Sequence, residues 1–342
     1  PLAVSIPPMD HAAHETSHNR HAELLKPPVR LDRLESMAVD IAAMQATPTP
    51  SVDPAVILTL AADHGVTAEG VSAYPKSVTA TMVDAVAGGD AAINALAGAT
   101  EITTHVVDMG VDGDVPAGVI DRHISDGTAN MAVEPAMTTT QAHESIAAGR
   151  ALVEEHAAEA GVIGLGDLGI GNTTASAAIT AALTETSVEE VTGHGTGIDE
   201  ATRQQKIETI EQALAVTDPT ADDPLDVLRC VGGFEIAGLV GVTLAAASRR
   251  IPVVVDGVVT GAAAIVAAEI NEGVSKYLLG SHMSTEPAHA IQLAALGVSP
   301  CLDYEMGLGE GTGAAVAIGT YRAACRAHTE MATFAEAGLD SS

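Results

Sequence analysis

Apolar residues in this chain gather in short runs, and each run ends on a small group of polar residues or glycine. Residues 55–62 lead into Asp63-His64-Gly65, 103–107 into Asp108, 162–165 towards Asp167, and 252–255 into Asp256-Gly257. Residues 277–279 run into Ser281-His282-Met283-Ser284, and 298–302 into a loop carrying Glu310. Apolar runs without polar alternation are buried on both faces, as strands of a parallel sheet are. Helix-period patterns lie between them, at 77–97, 140–158, 173–184, 200–216, 260–270 and 286–296. Strands alternating with helices predict an α/β fold: a doubly wound, mostly parallel sheet with helices on both faces and right-handed crossovers.

The two ends of the chain read differently. Residues 31–45 form an amphipathic pattern with Leu34, Met37, Ala38 and Ile41 on one side, followed by the linker Thr47-Pro48-Thr49-Pro50. An Ala-rich helix follows Gly313. Neither end has strands of its own, so the two are expected to pack together as a small helical subdomain. The expected divisions are an N-terminal helical segment at 1–50, an α/β core carrying the sites at 51–313, and a C-terminal helix at 314–342. The apolar stretch 236–248 is too short to cross a bilayer and reads as a buried helix.

Charge narrows the partners. With 45 acidic and 15 basic residues the formal charge is −30, which argues against nucleic acid or an anionic membrane as partner. Only four lysines and 2% aromatic residues are present, a balance that suits a protein kept soluble in concentrated salt, so a salt-loving source is expected. Three cysteines with no C-x-x-C spacing fit a reducing cytoplasm rather than a zinc ribbon. No basic segment followed by an apolar core marks a secretory signal.

Three stretches carry candidate chemistry. In Leu308-Gly309-Glu310-Gly311-Thr312-Gly313 one carboxylate stands among glycines between a strand and a helix. Glycines allow a tight turn close to a ligand, and the carboxyl ends of strands are where open α/β sheets bind ligands. A polar turn with a solvated Glu310 is the bland alternative. Gly164-Leu165-Gly166-Asp167-Leu168-Gly169 matches the dinucleotide G-x-G-x-x-G and raises an NAD-dependent oxidoreductase. That fingerprint also needs an acidic strand end about twenty residues on, and residues 187–191 show none. Gly169 to Thr174 is better read as the start of a helix whose N–H groups and hydroxyls hold a phosphate, with Gly169, Gly171, Asn172, Thr173 and Thr174 as candidate contacts. His14-Glu15-Thr16-Ser17-His18 is a literal H-E-x-x-H, extended by His11 and His21, with Glu35 the nearest further ligand. It precedes any rigid scaffold and reads as a polar helix face, so no metal is expected.

Taken together, several blocks resemble one family, the nicotinate-nucleotide–dimethylbenzimidazole phosphoribosyltransferases. They are Leu24 to Pro28 with Arg33-Leu34-Glu35, Ala62 to Val66, Gly169 to Thr174, Val231 to Glu235, Val255-Asp256-Gly257, Ser281-His282 with Ser284, and Leu308 to Gly313. The resemblance spans roughly residues 20–330 and rests on the order and spacing of the blocks. It implies transfer of the phosphoribosyl group of nicotinate mononucleotide to a benzimidazole, with Glu310 as catalytic base. Lys206 and Ser284 match positions that contact the nucleotide phosphate. Gly309, Gly311, Thr312 and Asp256 are counted with the substrate-binding residues, and Tyr74 and Met82 fall in the base-binding segment. A homodimer without cofactor is implied.

The chemistry agrees with that resemblance. Nicotinate leaves from a ring nitrogen that is cationic in the nucleotide and neutral once released, so the ribose gains positive charge that Glu310 and Asp167 would stabilise. The acceptor nitrogen attacks while its ring partner loses a proton, a task for one positioned base. Departures from the family pattern are Asp167 for Glu, Tyr74 for Ser, Met82 for Gln, Gly307 for Arg, and Val29-Arg30-Leu31-Asp32 for Gly-Ser-Leu-Gly. They leave the reaction class intact and bear on which base is accepted. A catalytically inactive nucleotide-binding protein is the remaining alternative.

Overall fold

The computed structural model describes residues 4–28 and 30–339, so Val29, one of the departures named above, lies outside the described residues. Seven strands are formed: β1 (Ala55–Ala62), β2 (Thr103–Gly110), β3 (Ile120–Asp121), β4 (Val162–Leu168), β5 (Val253–Val255), β6 (Leu278–His282) and β7 (Pro300–Leu302). They make one sheet in the order β3-β2-β1-β4-β5-β6-β7, and every neighbouring pair is parallel. All eight residues of β1 and all seven of β4 are buried, the burial that their unbroken apolar runs call for. Strand order reverses between β1 and β4, which makes the carboxyl ends of these two strands the switch point of the sheet.

Helices cover both faces. Those before β4 are α1 (His11–Glu23), α2 (Arg33–Gln45), α3 (Val78–Gly88), α4 (Ala92–Ala99) and α5 (Thr139–His156). After β4 come α6 (Asn172–Thr184), the short α7 (Val188–Val191), α8 (Glu200–Thr217), α9 (Pro224–Val231), α10 (Phe234–Ser248), α11 (Val258–Ile270), α12 (Pro287–Leu296) and α13 (Thr312–Glu330). Successive side chains of β1 separate the faces: Leu60 reaches Gly238 of α10, whereas the Thr59 hydroxyl donates to the Glu310 carbonyl, just before α13, at 3.0 Å. The expected buried helix at 236–248 is α10, with Phe234 to Ala247 all buried.

Two expectations need correction. The helix expected over 77–97 is two helices, because Gly88-Gly89 lets the chain turn, with Gly89 in the left-handed region at φ 87°. Helix α9 was not foreseen, although Asp223-Pro224 is a start signal: the Asp223 carboxylate accepts from Leu225 and Asp226 N–H at 3.1 and 3.3 Å. At the chain ends, α1 packs on α2 and α2 on α13, and Leu24 bridges to Thr333. Helix α13 also lies across β4, β5 and β6, so it is shared between the helical cluster and the sheet.

Helices α5 and α10 approach so closely that their backbones touch. A Cβ on Gly149 would fall 1.8 Å from the Gly238 carbonyl oxygen, and one on Gly241 would fall 2.1 Å from that of Ile146. Neither backbone can yield without moving a whole helix. Gly149→Ala is therefore expected to destabilise the fold by about 1–3 kcal/mol despite its better helix propensity. An unfolding midpoint in urea equal to or above that of the parent protein would refute the close approach.

Candidate active site

At the switch point a cleft of about 420 Å3 opens over the strand ends. The segment from β4 into α6 supplies Asp167, Gly169, Asn172 and Thr173; the end of β6 and the loop after it supply His282, Ser284 and Glu286; the loop before α13 supplies Gly307 to Glu310. Tyr74, Val78, Thr79 and Met82 close one side, and Val258 and Val259 face in from α11. A second, more polar cleft of about 520 Å3 lies at the amino ends of the strands. Its two arginines are already committed, Arg322 to Asp53 at 2.7 Å and Arg326 to Glu330 at 2.8 Å.

Glu310 occupies a constrained turn. Gly309, Glu310 and Gly311 have φ of 86°, 62° and 87°, three consecutive residues in the left-handed region. Glycine takes this conformation freely and glutamate does not, so neighbouring contacts must hold Glu310 there. Its N–H donates to the Asp167 carbonyl at 3.2 Å and its carbonyl accepts from Thr59. A Cβ on Gly166 would lie 2.7 Å from the Glu310 carbonyl oxygen, so this glycine lets the turn rest directly on β4. The side chain is 3% exposed, and Oε2 has no hydrogen-bond partner among the described residues. Burial raises its pKa, with the backbone N–H of Ile93 working the other way.

Asp256 lies beneath this turn rather than in the cleft. It is fully buried, and its carboxylate accepts from Gly311 N–H at 3.2 Å and Ala314 N–H at 2.8 Å, at the amino end of α13. Burial pushes its pKa up to about 7 against these backbone bonds, and Glu310 adds repulsion. Asp167 lines the cleft floor and accepts from Asn172 Nδ2 at 2.9 Å. Burial first, then Asp256, Glu235 and Glu310, raise its pKa well above the ordinary value.

The opposite end of the cleft suits an anion. Gly171, at φ 97°, starts α6 without a side-chain cap, and Thr173 on its first turn accepts from Lys206 Nζ at 2.9 Å. Lys206 is 1% exposed and reaches the cleft wall from behind Thr173 and Gly195. Burial lowers its pKa to about 8, with Glu286 favouring the charged form and Arg203 opposing it.

Of the residues singled out in the sequence, Tyr74, Met82, Asp167, Gly169, Asn172, Thr173, Ser284, Gly309 and Glu310 line the one cleft. Gly171, Thr174, Lys206, Gly311, Thr312 and Asp256 do not line it and stand behind its wall. Thr174 is wholly buried with its hydroxyl unpartnered among the described residues. Sequence reasoning missed Thr79, which accepts from Ile170 N–H at 3.1 Å, and Glu286, which accepts from Gly195 N–H at 2.8 Å. Single polar residues opening or preceding a helix carry no signal that separates them from ordinary caps.

Both decoys have structural explanations. Gly164 and Gly166 lie inside β4, where added Cβ atoms would meet Ile57 at 2.8 Å and Thr59 at 2.6 Å, and residues 188–191 are helical instead of a strand. These glycines serve close packing, and the NAD-dependent reading loses its support. His14 and His18 stack with ring centroids 6.4 Å apart, while Glu35 is taken by Lys26 at 3.0 Å. No group of three or more His, Cys, Asp or Glu among the described residues could hold a metal ion.

Comparison with known proteins bears on the same site. A family model described as phosphoribosyltransferase matches residues 6–339. A nicotinate-nucleotide–dimethylbenzimidazole phosphoribosyltransferase of Roseiflexus sp. (strain RS-1) is 47% identical over 338 residues, 98% of this chain and 96% of that one. The chain belongs to this phosphoribosyltransferase family. The enzyme of the same name from Geobacter metallireducens is 45% identical over 340 residues, 98% of this chain and 96% of its own. The crystal structure of the one from Thermus thermophilus superposes with a TM-score of 0.91 at 41% identity, covering 97% of this chain and 99% of that one.

Asp256 gives this phosphoribosyltransferase a pH signature. Its proton is held more tightly in the folded chain, at about 7 against an ordinary 3.8. Its stabilising contribution is thus complete below 3.8 and lost as pH rises through about 7. Asp256→Asn removes the titration, so the fall in melting temperature between about pH 4 and pH 7 should be shallower in the variant than in the parent. Equal slopes would show that Asp256 does not take up the proton.

Proposed function

We propose that the enzyme transfers the phosphoribosyl group of nicotinate mononucleotide to 5,6-dimethylbenzimidazole or a related base, giving α-ribazole 5′-phosphate and nicotinate for the lower-ligand nucleotide of cobalamin. The observation that carries this reading is a buried carboxylate with a partnerless oxygen, Glu310, in a cleft with an anion-holding end and an apolar side. Glu310 is the base: its raised pKa strengthens it as a proton acceptor, and one unbonded oxygen is free for the acceptor's ring N–H. Asp167 faces the ribose. The cationic ring nitrogen of the nucleotide offsets the repulsion from neighbouring carboxylates, so Asp167 ionises as the positive charge spreads to the sugar.

The amino end of α6, Lys206, Thr173 and Ser284 take the phosphate. Tyr74, Val78 and Met82 form an apolar wall for the incoming base. The reaction so written calls on no cofactor, because nicotinate departs from a nitrogen that is already cationic. Three cysteines free of disulfides suit a reducing cytoplasm, and the family resemblance suggests a homodimer as the working unit. No helix among the described residues is long and apolar enough to cross a membrane.

Incubation with nicotinate mononucleotide and a panel of benzimidazoles, purines and phenols, followed by chromatography for released nicotinate, tests the reaction. An inactive nucleotide-binding protein would release none. Glu310→Gln keeps the side chain's shape but cannot take the proton, so transfer should fall roughly 10²-fold or more while nucleotide binding persists. A variant keeping over half the parent's turnover removes Glu310 from this role.

Lys206 makes phosphate binding depend on pH. A phosphate favours the protonated amine, which is already losing its proton near pH 8 in the free protein. Above that pH, nucleotide affinity should decline by up to about tenfold per unit as binding requires proton uptake. Lys206→Ala should weaken binding by roughly 1.5–3 kcal/mol and abolish the decline. Calorimetric titrations at several pH values would show either outcome.

A further inference from the structure

His282 ends β6 and lines the cleft at 2% exposure. Its Nδ1 is buried with no hydrogen-bond partner among the described residues. A polar atom left unpaired in this way costs about 1–3 kcal/mol, so its retention beside a binding cleft points to a partner supplied by a ligand. The ring is held firmly. It contacts His289 edge-on at 5.9 Å between centroids, and Gly313 makes room for its other edge, where a Cβ would fall 2.7 Å from Cδ2 and 2.9 Å from Nε2. His289 in turn accepts the Ser284 N–H at Nδ1, 3.1 Å away.

The neighbours locate the missing partner. Two residues beyond His282 is Ser284, at the phosphate end on the reading above, and against its ring is the first turn of α13, which follows Glu310. In a nucleotide the phosphate and the reacting C1′ are joined by the ribose, so a side chain between those two sites faces the sugar. Burial lowers the His282 pKa, with Asp303 opposing, and the ring is neutral at neutral pH. A neutral imidazole has one N–H and one lone pair, the complement of a hydroxyl. An uncharged ring also adds no repulsion to the positive charge developing on the ribose.

We propose that His282 contacts the substrate by hydrogen-bonding a ribose hydroxyl of the nucleotide, and thereby selects ribonucleotide over deoxyribonucleotide donors. The inference rests on the phosphoribosyl-transfer reading. Its test compares nicotinate mononucleotide with its 2′-deoxy and 3′-deoxy analogues as donors, for the unmodified enzyme and for His282→Phe and His282→Ala, at saturating dimethylbenzimidazole. The unmodified enzyme should lose at least about tenfold in kcat/KM with one of the analogues. The variants should use that analogue and the parent nucleotide within about threefold of each other, with the KM for the base unchanged. Equal use of all three donors by the unmodified enzyme overturns the proposal, and does so whether or not the variants fold. An undiminished preference for ribose in a folded variant, or a loss confined to the KM for the base, also overturns it. An enzyme that releases nicotinate from none of the donors overturns the phosphoribosyl-transfer reading together with this one.

Discussion

The grip of the Asp256 carboxylate on the amino end of α13 is the contact on which the site depends. Helix starts leave N–H groups unsatisfied, and a buried carboxyl group placed there accepts from them. Here the carboxyl group comes from the tip of β5, so one interaction ties the sheet to the helix and helps fix the turn between them. Glu310 stands in that turn in a conformation its own side chain disfavours. Together with the Asp167 and Thr59 contacts to the Glu310 backbone, Asp256 beneath it keeps the turn in place.

A second constraint is the shortage of cations. Asp167 and Glu310 in the candidate cleft, with Asp256 and Glu235 behind its wall, lie closely enough together to raise the cost of ionising Asp167. Lys206 is held back from solvent behind Thr173, with Glu286 favouring its charge. The floor of the cleft therefore favours positive charge, while its far end offers backbone N–H groups and one ammonium. A zwitterionic nucleotide with a cationic ring and an anionic phosphate matches this polarity along its length.

Much of this was legible in the chain because the signals are local. Short, mainly apolar runs ending on polar residues marked six of the seven strands, and the alternation of glycine around Glu310 marked a turn with one carboxylate. The remainder depends on residues far apart in sequence. Nothing near Asp256 says that its partners are the N–H groups of residues 311 and 314, and nothing near His282 says that Nδ1 is left alone. The G-x-G-x-x-G misled for the same reason: glycines inside a strand and glycines in a phosphate loop look alike until the helix packed against them is known. Lys206 was identified by family resemblance, since a lysine on a polar helix has no local mark of burial.

The burial of the carboxylates has a consequence for the setting in which so acidic a chain works. At molar salt the screening length is about 3 Å, so the excess negative charge of the surface is largely muted. Asp167, Asp256 and Glu310 are 7%, 0% and 3% exposed, out of reach of the ions that do the muting. Whatever charge they carry is therefore screened much less by the salt outside than the surface charge is.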